Sequence, residues 1–260
     1  EGAAVTALGL PGVQQELVER LHETETPLVV VQVSGKPHSV EWIDEHVPAV
    51  VHAWLPGEEG GNGIADVLLG EHSPSGRLPV SVPKSVGQLP VYYGRKPISR
   101  DERHVYADSD PLYAFGHGLS YTEFEYGDLS LSDDEINPAG TVTASVTVEN
   151  TGDVAGHEVV QCYAHQRWPT QARPVQELVG FERVHLEPGE SATVQFEIAT
   201  AQLAYHDTDM NLVAEAGEYE LRIGRSAEAV ETSDTVEIVG DDYEVPSTGR
   251  VYFAETRVER

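Results

Sequence analysis

One cysteine, Cys162, and one methionine are all the sulfur this 260-residue sequence contains. A lone cysteine excludes an intramolecular disulfide, and no Cys/His spacing of a zinc site occurs. The GxSxG elbow, the P-loop and GxGxxG are all missing, so nucleotide and dinucleotide binding have no motif behind them and no cofactor is expected. No apolar run approaches the roughly 18 residues a membrane helix needs, so a soluble chain without a membrane partner is expected. Lysine is nearly absent: Lys36, Lys84 and Lys96 are the whole set. With 16 Lys and Arg against 44 Asp and Glu, the formal charge is -28. A nucleic-acid partner is thereby excluded, because phosphate neutralisation needs basic surface. So acidic a chain repels itself at low salt, and screening contracts that repulsion to about 3 Å at 1 M salt. We read the charge as adaptation to high salt and expect a high-salt cytoplasm. The chain opens on Glu1 without an initiator methionine or a signal-like segment, which suggests a piece cut from something longer.

What is present falls into two blocks with different periods. In the first, Pro11 and Gly12 open a helical stretch with Val13, Leu17 and Leu21 on one face, followed by the apolar run LVVVQV at 28–33. Such a run predicts a parallel strand buried on both faces. HSVEWIDEH predicts a short helix capped by Ser39, with Val40, Ile43 and Val47 on one side. PAVVHAWL predicts a second strand, and NGIADVLLG a helix presenting Ile64, Val67 and Leu68. Strand, helix, strand in this order is the grammar of a parallel sheet whose sites lie beyond the carboxyl ends of its strands.

From about residue 125 the period becomes two. Val142, Ala144, Val146 and Val148 alternate with polar residues, VQFEI at 194–198 and YELRI at 219–223 do the same, and turn signals stand at Asn150-Thr151-Gly152, Pro188-Gly189 and Ala216-Gly217. About seven short strands of this kind predict an immunoglobulin-like sandwich. The expected fold class is an α/β partial sandwich domain followed by an all-β immunoglobulin or fibronectin type III-like sandwich. Expected boundaries are 1–85, a connecting segment 86–123, a sandwich 124–240 and a tail 241–260.

Several residues invite chemistry, and each has a plainer reading. Glu58 and Glu59 sit in LPGEEGGNG, just before a helix. Retaining glycosidases hold two carboxyl groups about 5 to 5.5 Å apart on either side of a sugar bond. Adjacent residues project in divergent directions, and acidic residues suit a helix start, so a structural role is expected. His157-Glu158 looks like half of a zinc-protease motif without its second histidine, in strand-like surroundings. Cys162 alternates with Val160 as a small buried hydrophobe. Arg95, Lys96, Arg100 and Arg103 form the one basic cluster, either a solvated loop balanced by Asp101 and Glu102 or a docking surface.

The longer strings carry more. AVVHAWLPGEEGGNGIADVLLGEHSPSGRLPVSVP, QLPVYYGRKP, PLYAFGHGLSYTEFEY, ENTGDVAGHEVVQCY and ELVGFERVHLEPGES resemble, in this order, the carboxyl-terminal portion of glycoside hydrolase family 3, the β-glucosidase and β-xylosidase family. The resemblance implies the later part of the family's α/β sandwich domain and its fibronectin type III-like domain. It also implies that the (β/α)8 barrel with the aspartate nucleophile is missing from this chain and is its natural partner. Relatives carry GEGxDRxxLxLPG, whose glutamate is the general acid/base. EGAAVTALGLPG aligns Glu1 with it, while Ala4 and Val5 stand where relatives have Asp-Arg.

The resemblance thus implies part of a retaining exo-acting β-glycosidase for small or oligomeric β-glycosides, inactive without its nucleophile, with Glu1 as candidate acid/base. The alternative is a stand-alone carbohydrate-binding or scaffolding module, for which Tyr92, Tyr93, Tyr113 and Tyr121 offer stacking faces. Assembly into a homo-oligomer is compatible with either. Independently of family, the charge predicts that the melting temperature climbs as KCl is raised from about 0.1 M to about 3 M. A flat or falling curve in thermal scans removes the high-salt reading.

Overall fold

The computed structural model describes residues 7–97 and 110–260. They form two compact units. The first holds residues 7–72, Leu78–Tyr92 and 110–115; the second holds Ser73–Arg77, 93–97 and Gly116–Arg260. The boundary expected at residue 85 is therefore crossed more than once. Of the expected connector, the described residues 86–92 and 110–115 fall in the first unit and 93–97 and 116–123 in the second.

In the first unit, α1 (Gln14–His22), β1 (Val29–Gln32), α2 (Glu41–His46), β2 (Ala49–His52) and α3 (Gly60–Leu69) follow the expected order. β1 and β2 pair in parallel, with Val29 opposite Ala49 and Gln32 opposite His52. A small core of Val40, Ile43 and Val47 is packed by Val18, Leu28, Val30 and Val50. Two expectations need correction. Val40, not Ser39, stands at the start of α2, and no side chain caps it. Nor is the run at 28–33 buried on both faces: Val29 is 50% and Val33 59% exposed. Val13, Leu17 and Leu21 of the helical stripe are exposed as well. The physical reason is that a two-stranded parallel sheet has too few neighbours to cover its own faces.

The second unit continues with β3 (Phe124–Tyr126), β4 (Ser130–Leu131), β5 (Glu135–Ile136), β6 (Thr141–Asn150), β7 (Gly156–Gln166), β8 (Glu177–Leu186) and β9 (Ser191–Ala199). After them come β10 (Tyr205–His206), β11 (Leu212–Ala214), β12 (Gly217–Gly224), β13 (Val230–Ile238), β14 (Tyr243–Glu244) and β15 (Glu255–Glu259). One sheet runs β5-β13-β12-β7-β8 and the other β15-β9-β6-β3, with β4 beside β6. β10, β11 and β14 make a small third sheet. Val142, Ala144, Val146 and Val148 all point into the core with Val194, Phe196, Ile198, Leu221 and Ile223, as period two requires. The segment 241–260 is no tail: β15 pairs antiparallel with β9, Glu255 opposite Glu197. Its sequence, ETRVE, is largely exposed and charged, which an edge strand tolerates because one side faces water.

β7 breaks the alternation, being buried at nearly every position from Gly156 to Gln166. The chain's own connecting pieces cover it: Gly116 lies against Gln161, and Arg77 lies against Glu158. Arg77 donates to Glu158 at 2.9 Å, with side chains only 8% and 2% exposed, and Tyr126 donates its hydroxyl to the other carboxylate oxygen at 3.0 Å. Burial pushes the Tyr126 phenol far up, and the Glu158 charge adds to it, so it remains a donor. Beside them, Gly116 has φ +81°, and a Cβ there would meet Gln161 Oε1 at 2.0 Å; one on Gly118 would meet the Gly76 carbonyl at 2.3 Å. The glycines of AFGHGLSY are thus required by close approach.

Removing one partner of a buried ion pair leaves an uncompensated charge, which costs about 3–5 kcal/mol. Glu158→Gln should lose that order of stability in denaturant titrations at molar salt, and the paired replacement Arg77→Met with Glu158→Leu should recover most of it. A loss below about 0.5 kcal/mol for Glu158→Gln, the size of a neutral surface change, contradicts the assignment.

Candidate active-site edge

Beyond the carboxyl ends of β1 and β2 the backbone pairing continues for one more step on each side. Ala53 N–H donates to the Gln32 carbonyl at 2.9 Å, and Ser34 N–H to the Trp54 carbonyl at 3.0 Å. Trp54 holds φ +51°, a conformation bulky residues rarely adopt and one that concentrates at functional sites. Past β1 the chain turns through Ser34, Lys36 and His38. His38 is 6% exposed, and both of its ring nitrogens are engaged. Nδ1 reaches the Leu8 and Gly9 carbonyls at 3.0 and 3.2 Å, which assigns it the proton and leaves Nε2 to accept from the Ser34 hydroxyl at 2.9 Å. Ser39 N–H also donates to the Leu8 carbonyl, and Lys36 Nζ donates to Ala7 O at 2.8 Å.

The loop after β1 therefore clamps the strip Ala7–Gly9 onto the strand ends. His38, bonded through both ring nitrogens, ties the loop after β1 to that strip. Two open recesses flank the clamp within this unit. One, of about 700 Å³, has walls from Leu10, Leu17, Val18, Val31 and Val33 and reaches Lys36 and His38. The other, of about 380 Å³, lies among Leu8, Pro37, Pro83, Leu89, Val91 and Tyr92.

Glu1 lies outside the described residues, as do Arg100 and Arg103. Glu58 and Glu59 are exposed on the turn after β2. Glu59 occupies the position before the first turn of α3, and its carboxylate accepts from the Asn62 amide at 2.6 Å. Gly57 has φ +74°, and a Cβ on Gly60 would meet Pro56 at 2.5 Å, so PGEEGG is a compact helix entry. The role expected for the two glutamates, shaping the start of α3, agrees with this geometry, although no side chain caps the helix.

The remaining flagged residues separate cleanly. Each carboxylate oxygen of Glu158 accepts a hydrogen bond, one from Arg77 and the other from Tyr126. Among the described residues no group of three or more His, Cys, Asp or Glu side chains is placed to hold one. Cys162 is fully buried, and burial pushes its thiol well up, so it is not a nucleophile. Arg95 takes part through its backbone, accepting from Val175 N–H at 2.8 Å. Tyr93 edges onto the fully buried Tyr163 at 5.9 Å. The backbone at 93–97 thus packs on the sandwich unit, while the Arg95 and Lys96 side chains are exposed. Tyr113 donates to Asp44 at 2.6 Å, and burial raises its phenol. Tyr92 and Tyr121 remain exposed, at 66% and 52%. Ser34, Lys36, His38 and Trp54 were not anticipated. The available signal was position alone: polar residues directly following two apolar strand runs.

An α/β unit with a clamped strip at its strand ends, followed by a two-sheet sandwich, defines the class. Residues 1–121 match the glycosyl hydrolase family 3 C-terminal domain, and residues 158–227 match the fibronectin type III-like domain. The chain belongs to glycoside hydrolase family 3, of which it carries these two domains. A beta-xylosidase of Formosa agariphila is 40% identical over 232 residues, 88% of this chain and 32% of the relative. A periplasmic beta-glucosidase of Salmonella typhimurium is 42% identical over 234 residues, 86% of this chain and 31% of the relative. The crystal structure of a beta-glucosidase from Listeria innocua in complex with glucose superposes with TM-score 0.86 at 34% identity, over 91% of this chain and 34% of that one. The chain thus spans about a third of the length of the relatives it matches.

Proposed function

We propose that this chain is the carboxyl-terminal portion of a retaining exo-acting β-glycosidase, a β-glucosidase or β-xylosidase, that works only together with an upstream barrel supplying an aspartate nucleophile. The observation that carries the reading is the clamp. His38 and Lys36 hold Ala7–Gly9 at the carboxyl ends of a parallel strand pair, where α/β sheets place their sites, and that strip follows Glu1 by six residues. In the proposed reaction the aspartate attacks the anomeric carbon while Glu1 gives its proton to the departing glycosidic oxygen. Glu1, now a carboxylate, then takes a proton from water as that water displaces the aspartate.

The uncovered apolar residues of α1 and β1 support the same reading. Leu17 of α1 and Val29 of β1, with Val13 and Val33 adjoining them, are exposed, and further strands and helices of the α/β domain would cover them. Metal and cofactor play no part in this scheme. The excess of carboxylates supports a salt-rich setting for the parent protein, in which the charge would keep it dispersed.

The isolated chain should not turn over nitrophenyl β-glucoside or β-xyloside, and mixing it with the separately produced upstream region of its parent polypeptide should generate turnover. Activity of the pure chain alone overturns the proposal. An upstream coding region without a barrel also overturns it and favours the stand-alone module.

A further inference from the structure

Trp168 is the most exposed large apolar side chain among the described residues, at 89%. It sits on the loop between β7 and β8, and that loop is held from below by buried charge. Glu215 is 5% exposed and accepts from Gln166 Nε2 at 2.9 Å, from Thr170 N–H at 3.0 Å and from the Tyr205 hydroxyl at 3.0 Å. Arg173, 8% exposed, donates to Gln166 Oε1 at 3.0 Å and to the Leu203 carbonyl at 3.1 Å, and its guanidinium lies 4.4 Å from the centre of the Tyr205 ring. Arg167 is fixed twice, by its N–H to the Glu218 carbonyl at 2.9 Å and by its side chain to the Glu218 carboxylate at 2.6 Å. Trp168 is therefore pinned at Arg167 on one side and at Thr170 on the other.

A fully hydrated indole on a rigid loop gains free energy from anything that covers its face, without ordering the loop first. The surroundings decide what fits. A protein interface buries about 800 Å² per partner around an apolar centre, and here a single exposed ring is carried between Arg167, bonded to Glu218, and Thr170, bonded to Tyr205. Arg167 is paired with Glu218, so the loop beside the ring offers donors and acceptors without an unmatched positive charge. A pyranose ring has one face of C–H groups, a perimeter of hydroxyls and no charge. We propose that Trp168 is the platform of an auxiliary binding site for neutral β-linked oligosaccharide on the fibronectin type III-like unit. The glycosidase reading contributes only the class of sugar. The site lies in the sandwich unit, so it binds whether or not the chain is catalytic.

The test is titration of the full chain, at molar salt, with cellotetraose, laminaritetraose and xylotetraose, followed by tryptophan fluorescence and calorimetry. At least one of the three should give a saturable signal with a dissociation constant in the millimolar range. Affinity should fall about tenfold or more in Trp168→Ala and be partly kept in Trp168→Tyr, with unchanged melting temperatures. Absence of binding by all three sugars overturns the proposal, as does undiminished binding by Trp168→Ala. Loss of acrylamide access to Trp168 when the upstream region is added overturns it too, because the ring then belongs to a protein contact. Because none of these readouts requires turnover, failure of the glycosidase proposal would leave this result standing, and the converse holds.

Discussion

A single buried ion pair, Arg77 with Glu158, governs how the sandwich unit is built. Two charges removed from water are tolerated only when their remaining hydrogen-bonding capacity is met. Tyr126 meets part of it for the carboxylate. Satisfying this pair requires the strip Ser73–Arg77 to lie on the sandwich although the residues on either side belong to the first unit. It requires Gly116 and Gly118 to be free of side chains where the chain passes close by. β7 is buried on both faces: Glu158 shares the side of the core residues Val160 and Cys162, and Gln161 and Tyr163 are buried as well. Gln161 donates to the Gly116 carbonyl and accepts from the Tyr163 hydroxyl, so the outer layer is stitched by polar contacts instead of apolar packing.

The first unit has the opposite character. Its hydrophobic core is small, its sheet has two strands, and the side chains that periodicity assigned to an interior are partly in water. What is ordered there is ordered by backbone and polar contacts at the strand ends: the clamp of His38 on Leu8 and Gly9, the contact of Ser34 with Trp54, and the glycine-built entry to α3. These features cost conformational freedom and strain, Trp54 above all. They gain little burial in return, a balance typical of a site assembled for chemistry.

Much of this was legible from the residues, and the unread parts have physical causes. The strands at 142–148, 194–198 and 219–223 announced themselves because one face is core and the other solvent, the condition under which period two is visible. β7 and β15 were harder: a strand covered on both sides loses alternation, and a charged edge strand hides it. The first unit's elements were predicted in order, but their burial was not, because a local apolar pattern reports what an element is made to pack against and not whether that neighbour is in the chain. Glu58 and Glu59 were correctly placed at a helix start from the geometry of adjacent residues. His38 was unreadable as a clamp, since its partners are carbonyls some thirty residues away and any sequence supplies carbonyls.

The central proposal is that catalytic proton transfer belongs to Glu1, six residues before the strip Ala7–Gly9, and not to the paired glutamates of the turn. The direct measurement is turnover of a dinitrophenyl β-glycoside by the parent protein carrying Glu1→Gln, with and without azide. A good leaving group needs no acid, so the aspartate should still be glycosylated. Water attack should then stall for want of a base, and azide, which needs none, should restore turnover by attacking the anomeric carbon, releasing the aspartate and yielding a glycosyl azide. Glu58→Gln and Glu59→Gln should show neither the stall nor the rescue. Azide rescue in Glu59→Gln, or unimpaired hydrolysis in Glu1→Gln, would contradict the account.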